Sequence, residues 1–270
     1  MKAQLIDGKR ISAEIKAEAA EEAAALKAKG ITPCLAVVLV GDDSASQVYV
    51  NNKKKACEAV GIRSVSHVLS GGTTEEALLK LIAKLNADKD IHGILVQMPV
   101  PKQIDERKVI LAIDPKKDVD CFHPVNVGNL HTGGEGFLPC TPAGIIELIK
   151  RSGHSIEGKQ CVVIGRSNIV GKPVAMLLMQ ENGTVTICHS KTRNLAEICR
   201  GADIIVSAVG KVNTVTADMV KEGAILIDVG MNRNEAGKLC GDVDFENVKE
   251  IAGAITPVPG GVGPMTIAML

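Results

Sequence analysis

The sequence predicts an α/β fold in two domains, each built on a parallel sheet with helical crossovers. Its 270 residues exceed the length of one typical domain. Apolar runs that end at glycine or proline alternate with helical patterns along most of the chain, which is the arrangement of βαβ units. Residues 114–140 interrupt this alternation with a long aperiodic stretch, so we place the domain boundary near residues 120–140.

The first half carries the patterns of one α/β unit. Continuous apolar runs indicate buried strands, and Thr73 and Thr74 followed by Glu76 indicate a capped helix start. Helices are predicted over residues 9–29, 46–60 and 105–113 and after Thr74, and strands over residues 35–40, 63–69 and 92–98.

The second half repeats the alternation. Thr141 and Pro142 are typical of an N-cap and a first helical position, so a helix is predicted to begin there. Strands are predicted over residues 161–164, 184–188, 204–208 and 224–229, and helices over residues 171–180, 194–200 and 216–221.

Composition excludes several classes of protein. Lys plus Arg and Asp plus Glu number 31 each, so the chain lacks the basic excess of a nucleic-acid-binding protein. No apolar run approaches the ~20 residues of a membrane span, and residues 1–12 lack a signal-peptide pattern, so a cytoplasmic protein without a membrane partner is expected. The eight cysteines form no C-x-x-C pair, which favours buried reduced thiols over a disulfide framework or a metal site.

The turn after residues 161–164 occupies the position of a Rossmann phosphate-binding turn. It reads Gly165-Arg166-Ser167-Asn168-Ile169-Val170-Gly171 and departs from the G-x-G-x-x-G pattern at Ser167. Spacing alone leaves a β-α turn without a ligand as an equal alternative. Gly210 and Gly230 also follow predicted strands directly, and ligands bind at such strand ends in parallel sheets, which favours a nucleotide site.

The end of the second strand of this half indicates which cofactor binds. An NAD site needs an acidic residue there to hold the ribose hydroxyls, whereas residues 188–193 contain none. Arg166, Ser190, Lys191 and Arg193 suit a 2′-phosphate instead. The sequence therefore predicts NADP, with solvated loop charge as the expected role of at least one of Lys191 and Arg193.

The only tyrosine precedes three successive lysines in the predicted helix 46–60. Tyr49 and Lys53 are four residues apart, so a helix sets the phenol and the ammonium group on one face. A partly desolvated lysine transfers protons near neutral pH, although spacing alone favours a solvated surface for residues 53–55. Gln97 ends a buried apolar run, and we expect its side chain to face a cleft.

Two irregular segments complete the set of candidate residues. Asp118 and Asp120 are two residues apart. This spacing fits either two carboxylates that face the same way in an extended chain or two turn-forming residues in a solvated loop. Thr256 through Pro264 is too rich in glycine and proline for a strand or a helix. We expect a shaped loop there, whose backbone approaches a flat ligand.

Taken in order along the chain, these segments resemble one family, the bifunctional methylenetetrahydrofolate dehydrogenase/methenyltetrahydrofolate cyclohydrolases (FolD). Each segment is moderately specific, and the ordered set is very specific. The matching segments are Val40 to Asp43 with Tyr49-x-x-x-Lys53, Gly93 to Pro99, Lys117 to Asp120, Gly165 to Ser167 with Val170-Gly171-x-Pro173, Ile227 to Gly230, and Thr256 to Thr266.

The resemblance implies NADP-dependent oxidation of methylenetetrahydrofolate to methenyltetrahydrofolate, followed by hydrolysis to formyltetrahydrofolate. It implies that Lys53 is the acid–base residue of the hydrolysis and that Gln97 tunes it by hydrogen bonding. Tyr49 then positions the one-carbon centre of the folate, and Asp120 anchors the pterin. The implied NADP contacts are Gly165, Arg166, Ser167, Ser190 and Met231, and the implied folate contacts include Pro259, Gly260 and Gly261.

The resemblance also implies a domain arrangement. An N-terminal α/β catalytic domain, residues 1–120 with residues 265–270 packing back on it, binds the folate. A Rossmann-like NADP-binding domain, residues 121–264, follows it, with the folate in an interdomain cleft. The family forms homodimers through its nucleotide domain, so a homodimer is expected.

One departure and two alternatives accompany this interpretation. Family members usually have glycine where this chain has Cys121, which costs on the order of 1 kcal/mol if the position needs a positive φ. A dehydrogenase that has lost the hydrolysis step would show only one of the two activities on assay. A non-catalytic NADP-binding regulator on the same fold would leave Lys53, Gln97 and Asp120 without a role.

Overall fold

The structure, a computed structural model, describes residues 3–270 except for the side chains of residues 44 and 45. It divides into two compact units. Residues 14–138 with Leu270 form the N-terminal unit, and residues 139–269 with the segment up to Ala13 form the C-terminal unit. Residues 1 and 2 of the predicted first domain lie outside the described part of the chain.

The N-terminal unit contains a three-stranded parallel sheet. Strand β2 (Cys34–Val40) lies between β3 (Arg63–Leu69) and β4 (Gly93–Val96). All seven residues of β2 are buried, as expected of a central strand in a parallel sheet that is covered on both faces. The helices of this part of the chain are α1 (Gly8–Ala28), α2 (Ser44–Ala59), α3 (Glu75–Ala87), α4 (Glu106–Ala112) and α5 (Pro124–Thr132).

The two faces of β2 bury separate apolar clusters, because successive side chains of a strand point to opposite sides. On one face, Ala36 and Val38 belong to a cluster that includes Leu78 of α3 and Val109 of α4. On the other face, Val37 belongs to a cluster that includes Val50 and Cys57 of α2. Helix α2 is thus fixed against the sheet by its apolar side.

Polar side chains set the starts of three helices in this unit. Asp43 accepts a hydrogen bond from the backbone N–H of Ser46 at 2.8 Å and begins α2. Thr74 caps α3 in the same way, as the sequence predicted, and Asp105 caps α4. Such caps satisfy backbone donors that the helix leaves free at its first turn.

The C-terminal unit contains a six-stranded parallel sheet in the order β1-β11-β8-β7-β5-β6. Its strands are β1 (Gln4–Leu5), β5 (Gln160–Ile164), β6 (Thr184–Cys188), β7 (Ile204–Ser207), β8 (Ile225–Asp228) and β11 (Ala254–Ile255). A separate antiparallel pair consists of β9 (Asn232–Arg233) and β10 (Leu239–Cys240). The helices are α6 (Cys140–Arg151), α7 (Gly171–Gln180), α8 (Leu195–Arg200), α9 (Phe245–Val248) and α10 (Val262–Met269).

Strand β5 lies between β6, which follows it in the chain, and β7, which follows β6. The chain therefore reverses its direction of winding between β5 and β7. In doubly wound sheets, ligands bind at such a switch point, outside the carboxyl ends of the strands. The order also confirms the predicted α/β class with a Rossmann-like sheet in the C-terminal unit.

Contacts divide the chain differently from the predicted boundaries at residues 120 and 264. Strand β1 pairs with β11, since the N–H of Gln4 donates to Gly253 and that of Ile6 donates to Ile255. The first residues thus belong to the sheet of the C-terminal unit. Residues 265–269, which were predicted to pack back on the first domain, belong to the C-terminal unit too, because α10 packs against α6, where Gly144 leaves no room for a side chain beside Met265.

Four local predictions need correction. The aperiodic stretch contains α5, which begins after His123 with Pro124 in its first turn. Helix α6 begins at Cys140 without a side-chain cap, and the hydroxyl of Thr141 lies 2.8 Å from that of Thr266 instead of capping the helix. Residues 216–221 form only a single 3₁₀ turn, and the predicted loop from Thr256 gives way to helix α10 at Val262.

The thiols and the helices of the structure bear on two expectations from composition. All eight cysteines are free thiols, and seven of them are buried. Across residues 3–270, no helix is both long enough and apolar enough to cross a membrane.

Candidate active site

Helix α2 presents Tyr49 and Lys53 four residues apart. Its inward side is fixed by Val50 and Cys57, and the Asp43 cap fixes its start. Tyr49 is 45% exposed and Lys53 is half-buried, whereas Lys54 and Lys55 are exposed. The three successive lysines are therefore not equivalent, because only Lys53 is drawn towards the sheet.

Lys53 reaches the end of strand β4. Its Nζ donates a hydrogen bond to Oε1 of Gln97 at 3.1 Å. Gln97 is held from both ends, since its backbone N–H donates to Val38 and its Nε2 donates to the carbonyl oxygen of Met98 at 2.8 Å. A solvated surface, which spacing alone favoured for Lys53, is thus the wrong interpretation.

Asp118 and Asp120 have different environments. Asp118 is 2% exposed and accepts hydrogen bonds from the backbone N–H of His123 at 2.8 Å and from Nδ2 of Asn126 at 2.9 Å. Asp118 therefore holds the chain that enters α5, and it is not a solvated turn residue. Burial raises the pKa of Asp120 to about 6, with a smaller contribution from the charge of Asp118, and the ammonium of Lys53 opposes the rise.

The backbone on either side of Asp120 is anchored. Before it, Nζ of Lys117 donates to the carbonyl oxygens of Leu85, Asn86 and Asp88 at the end of α3. After it, Cys121 is buried and adopts a φ of 58°. This is the left-handed region, so the position where the family usually has glycine does need a positive φ. We call Tyr49, Lys53, Gln97 and Asp120 the Lys53 cluster.

The turn between β5 and α7 is closely packed. Gly165 has a φ of 124°, and a Cβ there would lie 2.5 Å from the carbonyl oxygen of Ala208. A Cβ on Gly171 would overlap the carbonyl oxygen of Gly165. Oγ of Ser167 accepts hydrogen bonds from the N–H groups of Val170 and Gly171, both at 3.2 Å. Ser167 thus shapes the turn where the common pattern has glycine.

The end of β6 is polar and open. Arg166, Ser190, Lys191 and Arg193 are exposed, and no ion pair within residues 3–270 engages the three cations. Residues 188–193 themselves carry no carboxylate. This corner therefore presents positive charge to an anionic ligand.

A pocket of the C-terminal unit lies at the carboxyl ends of β8 and β11. Met231, which is 58% exposed, lines it together with Pro259, Gly260 and Gly261. Lys9 of α1, which the sequence did not single out, lines it too. Residues predicted for the cofactor and for the folate therefore line one pocket of this unit.

Two buried carboxylates support the loops around that pocket. Asp228, 3% exposed, accepts hydrogen bonds from the N–H groups of Gly230, Asp242 and Val243, each at 2.9 Å. Burial raises the pKa of Asp228 to about 6 and the charge of Asp242 adds to the rise, whereas these N–H groups oppose it. Asp242 was not among the residues predicted from the sequence, because the donors to its carboxylate come from residues 207–211 and from Asn232, which are distant along the chain.

No group of three or more His, Cys, Asp or Glu side chains suited to a metal ion occurs in residues 3–270.

Two family models match the chain and together cover most of it. Residues 6–120 match the catalytic domain of tetrahydrofolate dehydrogenase/cyclohydrolase, and residues 139–270 match its NAD(P)-binding domain.

Curated relatives match over nearly the whole length. The bifunctional protein FolD of Agathobacter rectalis is 62% identical over 99% of this chain and 96% of the relative. The protein of the same name from Acetivibrio thermocellus is 60% identical over 100% of this chain and 95% of the relative.

Solved structures give the same result. The bifunctional enzyme FolD of Campylobacter jejuni is 54% identical, with a TM-score of 0.96 over 99% of this chain and 95% of that one. The FolD of Trypanosoma brucei, solved with NADP and an inhibitor, is 42% identical, with a TM-score of 0.93 over 100% of this chain and 95% of that one.

These matches confirm the predicted family, the predicted pair of activities and the predicted use of NADP. The relatives match this chain in sequence over nearly its whole length, and the structure from Campylobacter jejuni shares its fold over that length too. The chain belongs to the tetrahydrofolate dehydrogenase/cyclohydrolase family.

Proposed function

We propose that the Lys53 cluster binds the one-carbon folate and catalyses the hydrolysis step of this bifunctional enzyme. The observation that carries the proposal is the hydrogen bond of 3.1 Å from Lys53 to Gln97. It selects one lysine of three and aims it at the carboxyl end of β4, where a parallel sheet places its ligands.

The oxidation step needs positioning more than it needs an acid or a base. The nitrogen lone pair of the folate drives hydride loss from the methylene carbon and leaves a methenyl cation. Tyr49, exposed on the face of α2 that carries Lys53, is proposed to position that carbon. Asp120 is proposed to anchor the pterin through its carboxylate.

The hydrolysis step needs proton transfers. Water adds to the methenyl carbon and loses a proton, and a ring nitrogen gains a proton as the carbon–nitrogen bond breaks. Lys53 is proposed to move these protons at its Nζ. Gln97 is proposed to fix the direction of Nζ, since its own amide is held by the carbonyl oxygen of Met98.

The C-terminal unit fits an NADP molecule on its own features. Gly165 and Gly171 bring backbone close together in the turn after β5, and the exposed cations beside it suit a 2′-phosphate. We propose Gly165, Arg166, Ser167, Ser190 and Met231 as the residues that hold NADP. When bound, NADP supplies the acceptor of the hydride.

The loop that contains Pro259, Gly260 and Gly261 is proposed to contact the folate. Gly261 leaves no space for a side chain, because a Cβ there would lie 2.6 Å from the carbonyl oxygen of Pro257. The backbone is thus the surface that this loop offers. A flat ring is the kind of ligand that packs against such a surface.

Two further expectations are proposals about the chain in the cell. We propose a homodimer formed through the nucleotide-binding unit, as the family resemblance implies. We also propose a cytoplasmic location, which the eight free thiols support because a reducing compartment maintains them.

One spectrophotometric assay tests the proposed function. Purified protein is mixed with methylenetetrahydrofolate and NADP, and the absorbance of methenyltetrahydrofolate is followed together with that of NADPH. We expect NADPH to accumulate while the methenyl compound decays to the formyl compound. If the methenyl compound accumulates and decays only at its uncatalysed rate, the protein is a dehydrogenase alone. If no NADPH forms, the protein is a non-catalytic binder.

A further inference from the structure

The carboxylate of Asp242 gathers one turn of the nucleotide-binding unit. It accepts hydrogen bonds from the backbone N–H groups of Val209 at 2.8 Å, Gly210 at 3.2 Å and Lys211 at 2.9 Å. These three residues, which we call the β7 turn, follow the end of β7 after Ala208. Hydrogen bonds from backbone N–H groups to a carboxylate are among the stronger ones, so three consecutive donors on one carboxylate fix the conformation of the turn.

Two side chains hold the carboxylate itself. Oγ of Ser207 donates to it at 3.1 Å, and Nδ2 of Asn232 donates to it at 2.9 Å. Asp242 is 0% exposed, so all five of these donors replace water that the charge loses on burial. A buried charge with this many donors is a fixed support and not a surface group.

The β7 turn lies at the switch point of the sheet. Strands β5 and β7 are neighbours, and the N–H of Ala208 donates to the carbonyl oxygen of Ile164 at their carboxyl ends. Gly165 abuts Ala208 so closely that a Cβ would not fit between them. The β7 turn and the turn after β5 therefore form the two sides of the place where this fold binds its nucleotide.

We propose that Asp242 is a positioning residue of the NADP site, which fixes the β7 turn at the switch point as one side of that site. The proposal rests on the proposed function of this unit as the NADP-binding one. Asp242 does not touch the cofactor in this role. It acts through the backbone of Val209, Gly210 and Lys211.

The glycines around Asp242 indicate that its place is specific. A Cβ on Gly230 would overlap Oδ1 of Asp242, and a Cβ on Gly241 would overlap the carboxylate of Asp228. Backbone thus approaches both carboxylates at distances that only glycine allows. Since Gly230 precedes Met231, Asp242 also borders the segment that carries a proposed NADP contact.

The substitution Asp242→Asn tests the proposal. It keeps the shape of the side chain and replaces one carboxylate oxygen, an acceptor, with an amide NH2 group that faces the N–H donors of the β7 turn. NADP binding by titration calorimetry and the hydrolysis of methenyltetrahydrofolate without NADP are measured on the same preparation. We expect the Kd for NADP to rise about tenfold or more, since small displacements of a positioning turn have effects of this size. The hydrolysis rate should stay within about twofold of the wild type, because that step does not use NADP.

Asp203→Asn is the matched control. Asp203 accepts from the N–H of Gln160 at 2.8 Å at the opposite, amino-terminal end of β5 and β7. It should leave the Kd for NADP unchanged. Unchanged NADP binding by folded Asp242→Asn would overturn the proposal, and so would a parallel loss of binding and hydrolysis.

A second variant serves if Asp242→Asn does not fold. Ser207→Ala keeps the charge and its backbone donors and removes one hydroxyl from the carboxylate. It should raise the Kd for NADP about threefold or more without slowing hydrolysis, and an unchanged Kd would overturn the proposal. Wild-type protein that does not bind NADP would instead refute the proposed function.

Discussion

Lys53 donates a hydrogen bond to Gln97 and so joins helix α2 to the carboxyl end of strand β4. Lys54 and Lys55, its neighbours in the chain, remain exposed, and Lys54 has only a distant ion pair, at 3.9 Å, with Glu58. Within a single turn of helix, Lys53 thus faces the sheet whereas Lys54 and Lys55 face water. This difference in environment makes the role of Lys53 testable by substitution.

Replacing Lys53 with Met should abolish hydrolysis of the methenyl compound. The variant keeps the aliphatic stem and removes the proton-carrying group, whose loss typically slows a reaction by about 10²- to 10⁴-fold. Hydrolysis is followed by the decay of methenyl absorbance. Lys54→Met removes the same charge from the exposed neighbour and should retain the wild-type rate, whereas full hydrolysis by Lys53→Met would remove Lys53 from the mechanism.

Local pattern was enough to predict the framework of the fold. The apolar run of β2 and the glycine that ends it specify a buried strand, and the structure has it at Cys34–Val40. The strand over residues 63–69 has the predicted bounds. The prediction of β2 succeeds because burial on both faces leaves a continuous apolar run in the sequence.

What the sequence alone did not predict depends on contacts distant along the chain. Strand β1 is two residues long and exists because β11, 250 positions later, pairs with Gln4. The environment of Lys53 depends on Gln97, which lies 44 residues away in the chain. Asp242 acquires its donors from the ends of β7 and from Asn232, so no local motif marks it.

The titration of Asp120 should lower stability as the pH rises. Burial raises the folded pKa to about 6, whereas the unfolded carboxyl titrates near about 4, so the folded state binds more protons between these values. The contribution of this carboxyl to the unfolding free energy is fully present below the unfolded pKa and is lost as the pH rises through the folded pKa. Asp120→Asn should therefore gain about 3 kcal/mol in unfolding free energy relative to the wild type between pH ~4 and ~7.

Urea denaturation of both proteins at several pH values measures this difference. The relevant quantity is the change in the difference with pH, because the substitution also removes an attraction to Lys53 at every pH where the carboxylate is charged. A difference that stays constant from pH ~4 to ~7 would contradict a raised pKa for Asp120.

An acid at the end of β6 should turn the cofactor preference towards NAD. Ser190 is exposed beside Lys191, and Ser190→Asp would place a carboxylate where a 2′-phosphate is proposed to bind. Repulsion should raise the KM for NADP about tenfold or more, and the ribose hydroxyls of NAD should gain an acceptor. Thr184→Asp adds the same charge at the opposite, exposed end of β6 and should leave both KM values unchanged; equal effects of the two variants would refute the site.

The positive φ of Cys121 should invert the usual order of alanine and glycine. Cys121 adopts a φ of 58° while its side chain is 3% exposed, so Cys121→Ala and Cys121→Gly both lose the buried thiol and differ in backbone preference and in one buried methyl group, a difference that the same pair of variants at Cys57 shares. The left-handed region disfavours a residue with a Cβ, so Cys121→Gly should be more stable than Cys121→Ala by about 1 kcal/mol.

At Cys57, inside α2, the same pair should show the opposite order by about the same amount, because glycine weakens a helix interior. Chemical denaturation of the four variants measures both differences, and an alanine variant that is the more stable one at residue 121 would show that the strain is absent.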